Sequence, residues 1–312
     1  MEVISDMEKI RDLIIIGAGP AGLTAAIYAK RAGFDTLVID ETGMGGGQIV
    51  NTYEVDNYPG LIHINGFDMG MKFKEHATEM GTEFADVTVT GVTKKDDLIY
   101  VYANDAEYVS KALIIATGAK HRALGIPGEE ELRGMGVSYC ATCDGAFFRK
   151  KVCAVVGGGD VALEDALFLA KGCSKVYLIH RRDEFRGAKV LADKVKETEN
   201  IEIVYDSRVT EIIGEGSVNG IKVENIKSGS VTELDINGIF IAVGMDPNTE
   251  LFKDVVELDK SGYIKAGEDC ITSTEGIFAA GDLRTKKLRQ VITAAADGAN
   301  AITSVSEYFN NR

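Results

Sequence analysis

Three things are scarce in this chain of 312 residues: basic charge, clustered cysteine and long apolar runs. Lysine and arginine number 34 against 48 acidic residues, giving a formal charge of −14. Such a surface repels phosphate backbones and anionic lipid, so nucleic acid is not an expected partner. No run approaches the roughly 18 apolar residues of a membrane span, and no membrane association is expected. The opening MEVISDMEKIRD mixes charges and lacks the basic stretch and apolar core of a secretory signal. The five cysteines are an odd number, and only Cys140 and Cys143 stand close together. A secreted disulfide scaffold carries a dense, even set, so a reducing, cytoplasmic setting is expected. Cys153, in the apolar run VCAVV, reads as a buried small hydrophobe, whereas Cys173 and Cys270 lie in contexts that suggest more exposure.

What the chain does have is glycine, 35 residues of it, arranged twice in one design. In DLIIIGAGPAGLTAAIYAKRAGFDTLVID an apolar strand at 12–16 runs into Gly17, Gly19 and Gly22, a G-x-G-x-x-G. A helix over roughly residues 20–32 and a second strand at 36–39 follow from the pattern. The first glycine permits a tight turn, the second lets backbone approach a diphosphate, and the third lets helix and strand pack closely. Pro20 and Ala21 open the helix, whose unpaired amides face the diphosphate. Asp40, followed by Glu41, ends the second strand, where a carboxylate accepts from a ribose hydroxyl.

The design recurs in KVCAVVGGGDVALEDALFLAKGCSKVYLIHRRDEFR, with Gly157, Gly159, Asp160 and Ala162 after a strand at 152–156. The position equivalent to Asp40 is now His180, followed by Arg181 and Arg182, with Arg186 further on. Guanidinium groups hold a ribose phosphate that a carboxylate repels, so this second site reads as one for NADPH. The competing reading is a solvated strand end neutralised by Asp183 and Glu184. Each copy ends in a strand and a glycine: LIIATGA, with Ala116, Thr117 and Gly118, and IFIAVGMDPN. The later TSTEGIFAAGDL supplies another such strand, ending in Gly281 and Asp282, which returns the chain to the first domain. The expected fold is α/β, with one Rossmann-like dinucleotide-binding domain inserted into another.

Read in order, GAGPAG, GGGQ with DNYPG, ATG, CATCD, GGGDVA, HRRDEFR and GIFAAGD resemble the low-molecular-weight class of thioredoxin reductase over essentially the whole chain. The resemblance implies an FAD domain at 1–117 and 247–312 around an NADPH domain at 118–246. It implies that Gly46, Gly47, Gln48 and Asn57 help to wrap FAD and that Asp282 binds its ribityl or phosphate region. Arg289, Gln290 and Val291 would then bring a helix N-terminus to the isoalloxazine ring. A homodimer and a thioredoxin or thioredoxin-like partner are likewise implied.

Cys140 and Cys143 lack the second pair, or the spaced histidines, of a zinc site, and no metal is expected. A ring enclosing two residues constrains little, which argues against a permanent staple. A redox dithiol at a helix start is the expected chemistry. No cysteine precedes residue 140 and the last histidine is His180, so the proton donor is sought beside the pair, at Asp144. The alternative for Asp144 is a carboxylate that only complements a helix dipole. In the resembling family the aspartate here is the acid, the cysteine matching Cys143 faces the flavin, and the one matching Cys140 attacks the protein disulfide. The implied electron route runs from NADPH through FAD to this disulfide and on to thioredoxin. It requires the inserted domain to swing on connections near 117–120 and 244–248. Rival readings are a flavin dithiol oxidase, a ferredoxin-fed reductase of the same fold, and a non-catalytic redox sensor.

Overall fold

The apolar run ahead of the first glycine turn forms β1 (Ile10–Ile16), whose Leu13, Ile14 and Ile15 are fully buried, as suits a parallel strand covered on both faces. The computed structural model describes residues 9–52, 55, 57–104 and 106–312. Tyr53, Glu54 and Asp56 of the stretch expected to wrap a cofactor lie outside the described residues. Helix α1 (Pro20–Arg31) opens on proline, whose missing N–H costs nothing at that position, and ends on Lys30 and Arg31 beside its carbonyls. Next come β2 (Thr36–Ile39), α2 (Gly66–Glu79), β3 (Glu83–Ala85), β4 (Val89–Lys95), β5 (Leu98–Ala103) and β6 (Ala106–Ile115). The sheet order is β3-β2-β1-β6-β5-β4, parallel except for the β4, β5 and β6 pairings.

The chain then passes through β7 (Ala119–His121) into a second unit of β8 (Val137–Ser138), α3 (Ala141–Asp144), β9 (Val152–Gly157), α4 (Asp160–Ala170), β10 (Lys175–Ile179), α5 (Lys189–Glu197) and β11 (Ile201–Val204). An antiparallel trio follows, β12 (Ser207–Gly214), β13 (Val218–Asn225) and β14 (Val231–Asp235), and β15 (Gly238–Ala242) closes a parallel sheet in the order β11-β10-β9-β15-β8. Ala162, Leu163, Ala166 and Leu169 of α4 cover one side of this sheet, packing with Cys153, Val155 and Phe240. Val209, Ile212, Ile221 and Val223 of the antiparallel trio cover the other, with Ala154, Val156, Ile239 and Ile241. The glycine motif marks the parallel core, but nothing in it signals this second cover.

The return runs through β16 (Met245–Pro247), which pairs with β7, then β17 (Ile277–Ala279), which adds to β6 in parallel, and α6 (Val291–Asn310). Helix α6 lies directly on α1, because a Cβ at Gly298 would overlap the Ala21 carbonyl. The chain divides into two compact units, one of the residues up to Lys120 with Asp246–Arg312, the other His121–Met245. Among the described residues no helix is long and apolar enough to cross a membrane.

Candidate active site

Beyond the ends of four strands in the first unit the ladder continues for one more residue. Gly17 donates to Ile39 O (2.8 Å), Asp40 to Ala85 O (3.1 Å), Ala116 to Ile16 O (2.8 Å) and Ala280 to Ile115 O (3.0 Å). These residues form one row along the carboxyl edge of the sheet, where ligands of open α/β sheets lie. Gly17 holds φ +105° against the Ala116 carbonyl, and a Cβ on Gly22 would overlap Gly17 O. Gly19 is the opposite case: among the described residues no atom lies within 4 Å of a Cβ position, and no side chain caps the helix that begins there. Gly46 N donates to Ala18 O (2.7 Å), and a Cβ on Gly47 would lie 3.2 Å from Gly19 Cα, so the GGGQ loop rests on the glycine turn. Asp40 Oδ2 accepts from Ala18 N (2.9 Å) and its Oδ1 from the Thr42 hydroxyl (2.6 Å); Glu41 and Gln48 are exposed. Thr117 Oγ1 donates to Asn248 O (2.7 Å), and Asn248 N to Gly118 O (3.0 Å). The two glycines therefore separate in a stability measurement. Gly22→Ala is expected to cost about 1–3 kcal/mol by overpacking and to lower Tm, whereas Gly19→Ala leaves the Tm of the cofactor-free chain unchanged.

Gly281 and Asp282 follow β17 in the same row. Oδ1 of Asp282 is buried without a hydrogen-bond partner, and burial pushes this carboxyl up against the pull of Lys286 and Arg289. Asp297 of α6 braces the turn from behind. Its Oδ2 accepts from Gly281 N, Arg284 Nε and Lys286 Nζ, each at 2.8 Å, and its Oδ1 accepts from Arg284 Nη2 at 2.6 Å. Arg289 stacks on the Tyr263 ring at 4.2 Å and donates to Asp282 O (3.2 Å). Gln290 caps α6 in a capping box with Thr293, just ahead of Val291, and its Oε1 accepts from Asn57 Nδ2 (2.8 Å). The residues named from sequence near 282–291 are thus joined, but Asp297, Arg284 and Lys286 were missed. Their only signal was a charged residue inside an otherwise apolar helix face.

In the second unit Gly157 (φ +157°) lies against the Ala242 carbonyl and Ala162, while Gly159, like Gly19, has open space where a Cβ would point. Helix α4 also starts without a side-chain cap. The HRRDEFR loop folds back on this turn: Arg186 N and Gly187 N both donate to Gly158 O (2.7 and 3.1 Å), and Asp160 Oδ1 accepts from Ala188 N (2.6 Å). His180 is buried beneath Gly158; its Nε2–H donates to Glu184 O (3.0 Å) and burial holds its pKa down. Arg181, Arg182 and Arg186 are exposed. Asp183, weighed above as their neutralising partner, pairs instead with Lys227 (3.4 Å).

Cys140 and Cys143 form a disulfide with Cα atoms 5.3 Å apart. Cys140 is the N-cap of α3, a single turn that runs on into a 3-10 turn at Gly145–Phe148. Asp144 Oδ2 accepts from the Ser138 hydroxyl at 2.6 Å, its Oδ1 is buried without a partner, and burial pushes its pKa up against that hydrogen bond. Ser138 escaped the sequence reading, since a serine ahead of C-x-x-C has no signature of its own. The remaining cysteines correct an expectation: Cys173 and Cys270 are buried as well as Cys153. Cys173 lies 3.7 Å from Cys153 beneath α4, and Cys270 is enclosed by α6 through Asp297 O at 3.4 Å. Among the described residues no group of three or more His, Cys, Asp or Glu side chains is placed to hold a metal ion.

The likeness to known proteins spans the whole of this architecture. A thioredoxin reductase of Listeria monocytogenes is 46% identical over 302 residues, covering 96% of this chain and 94% of that one. The crystal structure of thioredoxin reductase from Streptococcus pyogenes superposes with a TM-score of 0.92 at 43% identity, over 99% of this chain and all of that one. Thioredoxin reductase from Giardia duodenalis gives 0.91 at 36% identity, over 97% and 100%. The fold is therefore α/β with two Rossmann-like domains, as expected. The sequence model of the pyridine nucleotide-disulphide oxidoreductases matches residues 11–298, and the chain belongs to that family.

Proposed function

We propose that this chain is an NADPH-dependent flavoenzyme that reduces the disulfide of thioredoxin or a thioredoxin-like protein, acting in the cytoplasm as a homodimer. The observation that carries this reading is a closed Cys140–Cys143 disulfide followed directly by a half-buried Asp144 whose Oδ1 is buried and unpartnered. It is supported by relatives named thioredoxin reductase across nearly the full chain.

The first unit fits FAD on three features. Gly19 leaves open space before the uncapped amides of α1, Asp282 Oδ1 is a buried acceptor without a donor, and the row at the sheet edge matches dinucleotide sites of this class. Gly17, Gly19, Gly22 and Asp40 would hold the adenosine diphosphate part, with Gly46 and Gly47 closing over it, and Asp282 the chain toward the ring. When bound, flavin supplies a two-electron relay between nicotinamide and disulfide. The second unit takes NADPH, Gly157 and Gly159 admitting the diphosphate and Arg181, Arg182 and Arg186 holding the ribose phosphate.

The rest is done by the chain's own sulfurs and carboxyl. Reduction opens Cys140–Cys143 to a dithiol. The Cys140 thiolate attacks the substrate disulfide, forming a mixed disulfide and releasing one substrate thiolate, which Asp144 protonates. Cys143 then attacks Cys140, releasing the second substrate thiol and restoring the internal disulfide. Because one disulfide must meet both flavin and a protein, the domain at 118–246 is proposed to turn on its connections near 117–120 and 244–248 relative to 1–117 with 247–312. If a Cys140-linked thioredoxin adduct leaves the disulfide region as in the oxidised enzyme, that motion is wrong.

The test supplies the purified protein with FAD, offers it NADPH or NADH with a panel of thioredoxin-like proteins and follows insulin-disulfide reduction. Each guanidinium–phosphate bond is worth about 1.5–3 kcal/mol, so R181Q/R182Q should raise KM for NADPH at least about tenfold and leave NADH unaffected. A chain that binds no flavin, or whose flavin NADPH does not bleach, removes the proposal.

A further inference from the structure

We propose that Ser138 is a positioning residue that serves Asp144 in both of its protonation states; this rests on the acid role proposed above. Ser138 is the last residue of β8, fixed in the ladder opposite Phe240 and only 5% exposed. Its Oγ lies 2.6 Å from Asp144 Oδ2, 3.1 Å from Cys140 N and 3.3 Å from Cys140 O. The neighbouring Tyr139 is pinned in turn, its hydroxyl donating to buried Glu129 at 2.8 Å. The hydroxyl therefore stands on rigid backbone between the acid and the attacking cysteine.

A hydroxyl has one proton to donate and two lone pairs, and three partners surround this one. With Asp144 ionised, Ser138 donates to Oδ2 and accepts from Cys140 N. With Asp144 protonated on Oδ2, the acid donates to Ser138, which turns its own proton to the Cys140 carbonyl and still accepts from Cys140 N. In both states the Ser138 proton has an acceptor and Cys140 N keeps its bond without movement of a heavy atom, so the acid can lose and regain its proton on rotation about one C–O bond. Oδ2 gives its proton to the substrate thiolate as Ser138 turns its own proton back to Oδ2, while Oδ1 is buried without a partner. No other side chain bonds this carboxyl among the described residues, so its only polar support against burial is the serine.

The sign of the effect follows. A bond donated to the carboxylate favours the charged form, so its removal keeps the acid protonated to higher pH. In S138A the alkaline limb of disulfide reduction should move up by about one pH unit, and the variant should hold a larger fraction of its plateau rate at alkaline pH. Infrared titration of the protonated carboxyl band that D144N lacks reads the same midpoint without turnover; it should rise in S138A and return in S138T. A uniform fall in rate with neither midpoint moved would show a merely structural serine and overturn the proposal. Persistence of the limb in D144N would show instead that Asp144 is not the acid, removing the reading beneath it.

Discussion

Cys143→Ser is expected to stop NADPH-driven disulfide turnover, by at least about a thousandfold, while leaving the fold as it is. Serine replaces a half-buried side chain in a single helical turn whose backbone is held by Cys140 O, which accepts from Cys143 N (3.3 Å) and Asp144 N (3.1 Å). No other sulfur can stand in: Cys153 and Cys270 are 0% exposed and Cys173 is 6% exposed. Cys140 would remain able to attack a substrate disulfide, but nothing could resolve the product. The variant should therefore retain one equivalent of a thioredoxin-like protein in covalent linkage, read as a mass increment that dithiothreitol removes. Cys140→Ser should capture none. Undiminished turnover in C143S would leave the pair as a reporter of oxidation, the sensor reading, and end the mechanism proposed here.

The features legible in the sequence were those in which one residue type is dictated by local backbone. Gly22 must lack a side chain because a Cβ would overlap Gly17 O, so the motif, the helix at Pro20–Arg31 and the strand at Thr36–Ile39 could be read directly. The C-x-x-C spacing likewise contains its own geometry. Illegible features depended on residues brought together by the fold. Asp297 meets Arg284 and Lys286 only because α6 returns across the turn after β17. Ser138 meets Asp144 across the turn that carries the disulfide. His180 shows a different limit: it falls at the position that matches Asp40 in the first copy, but its ring is folded under Gly158, while the neighbouring Arg181 and Arg182 are exposed. Strand pattern fixes which residue stands at the end of β10, not which way its side chain turns.

The cluster at Asp297 should be the most costly to break of the ion pairs described. Asp297, Arg284 and Lys286 have side chains 4%, 5% and 7% exposed, so removing the acid leaves two buried cations without the carboxylate that pairs with both. Loss of one partner of such a group costs about 3–5 kcal/mol. Asp297→Ala is therefore expected to lower unfolding free energy by that amount in urea titration, and to weaken flavin retention because Gly281 N loses its acceptor. Asp297→Asn keeps an oxygen for Gly281 and should cost less. Salt distinguishes the cause: buried pairs are little screened, so the deficit should persist at high ionic strength. Breaking the exposed Lys265–Glu257 pair, at 3.2 Å with both side chains more than half exposed, should cost under about 1 kcal/mol. A deficit in D297A that shrinks to that level would mean that water reaches the cluster and that the turn carrying Asp282 is held by its backbone alone.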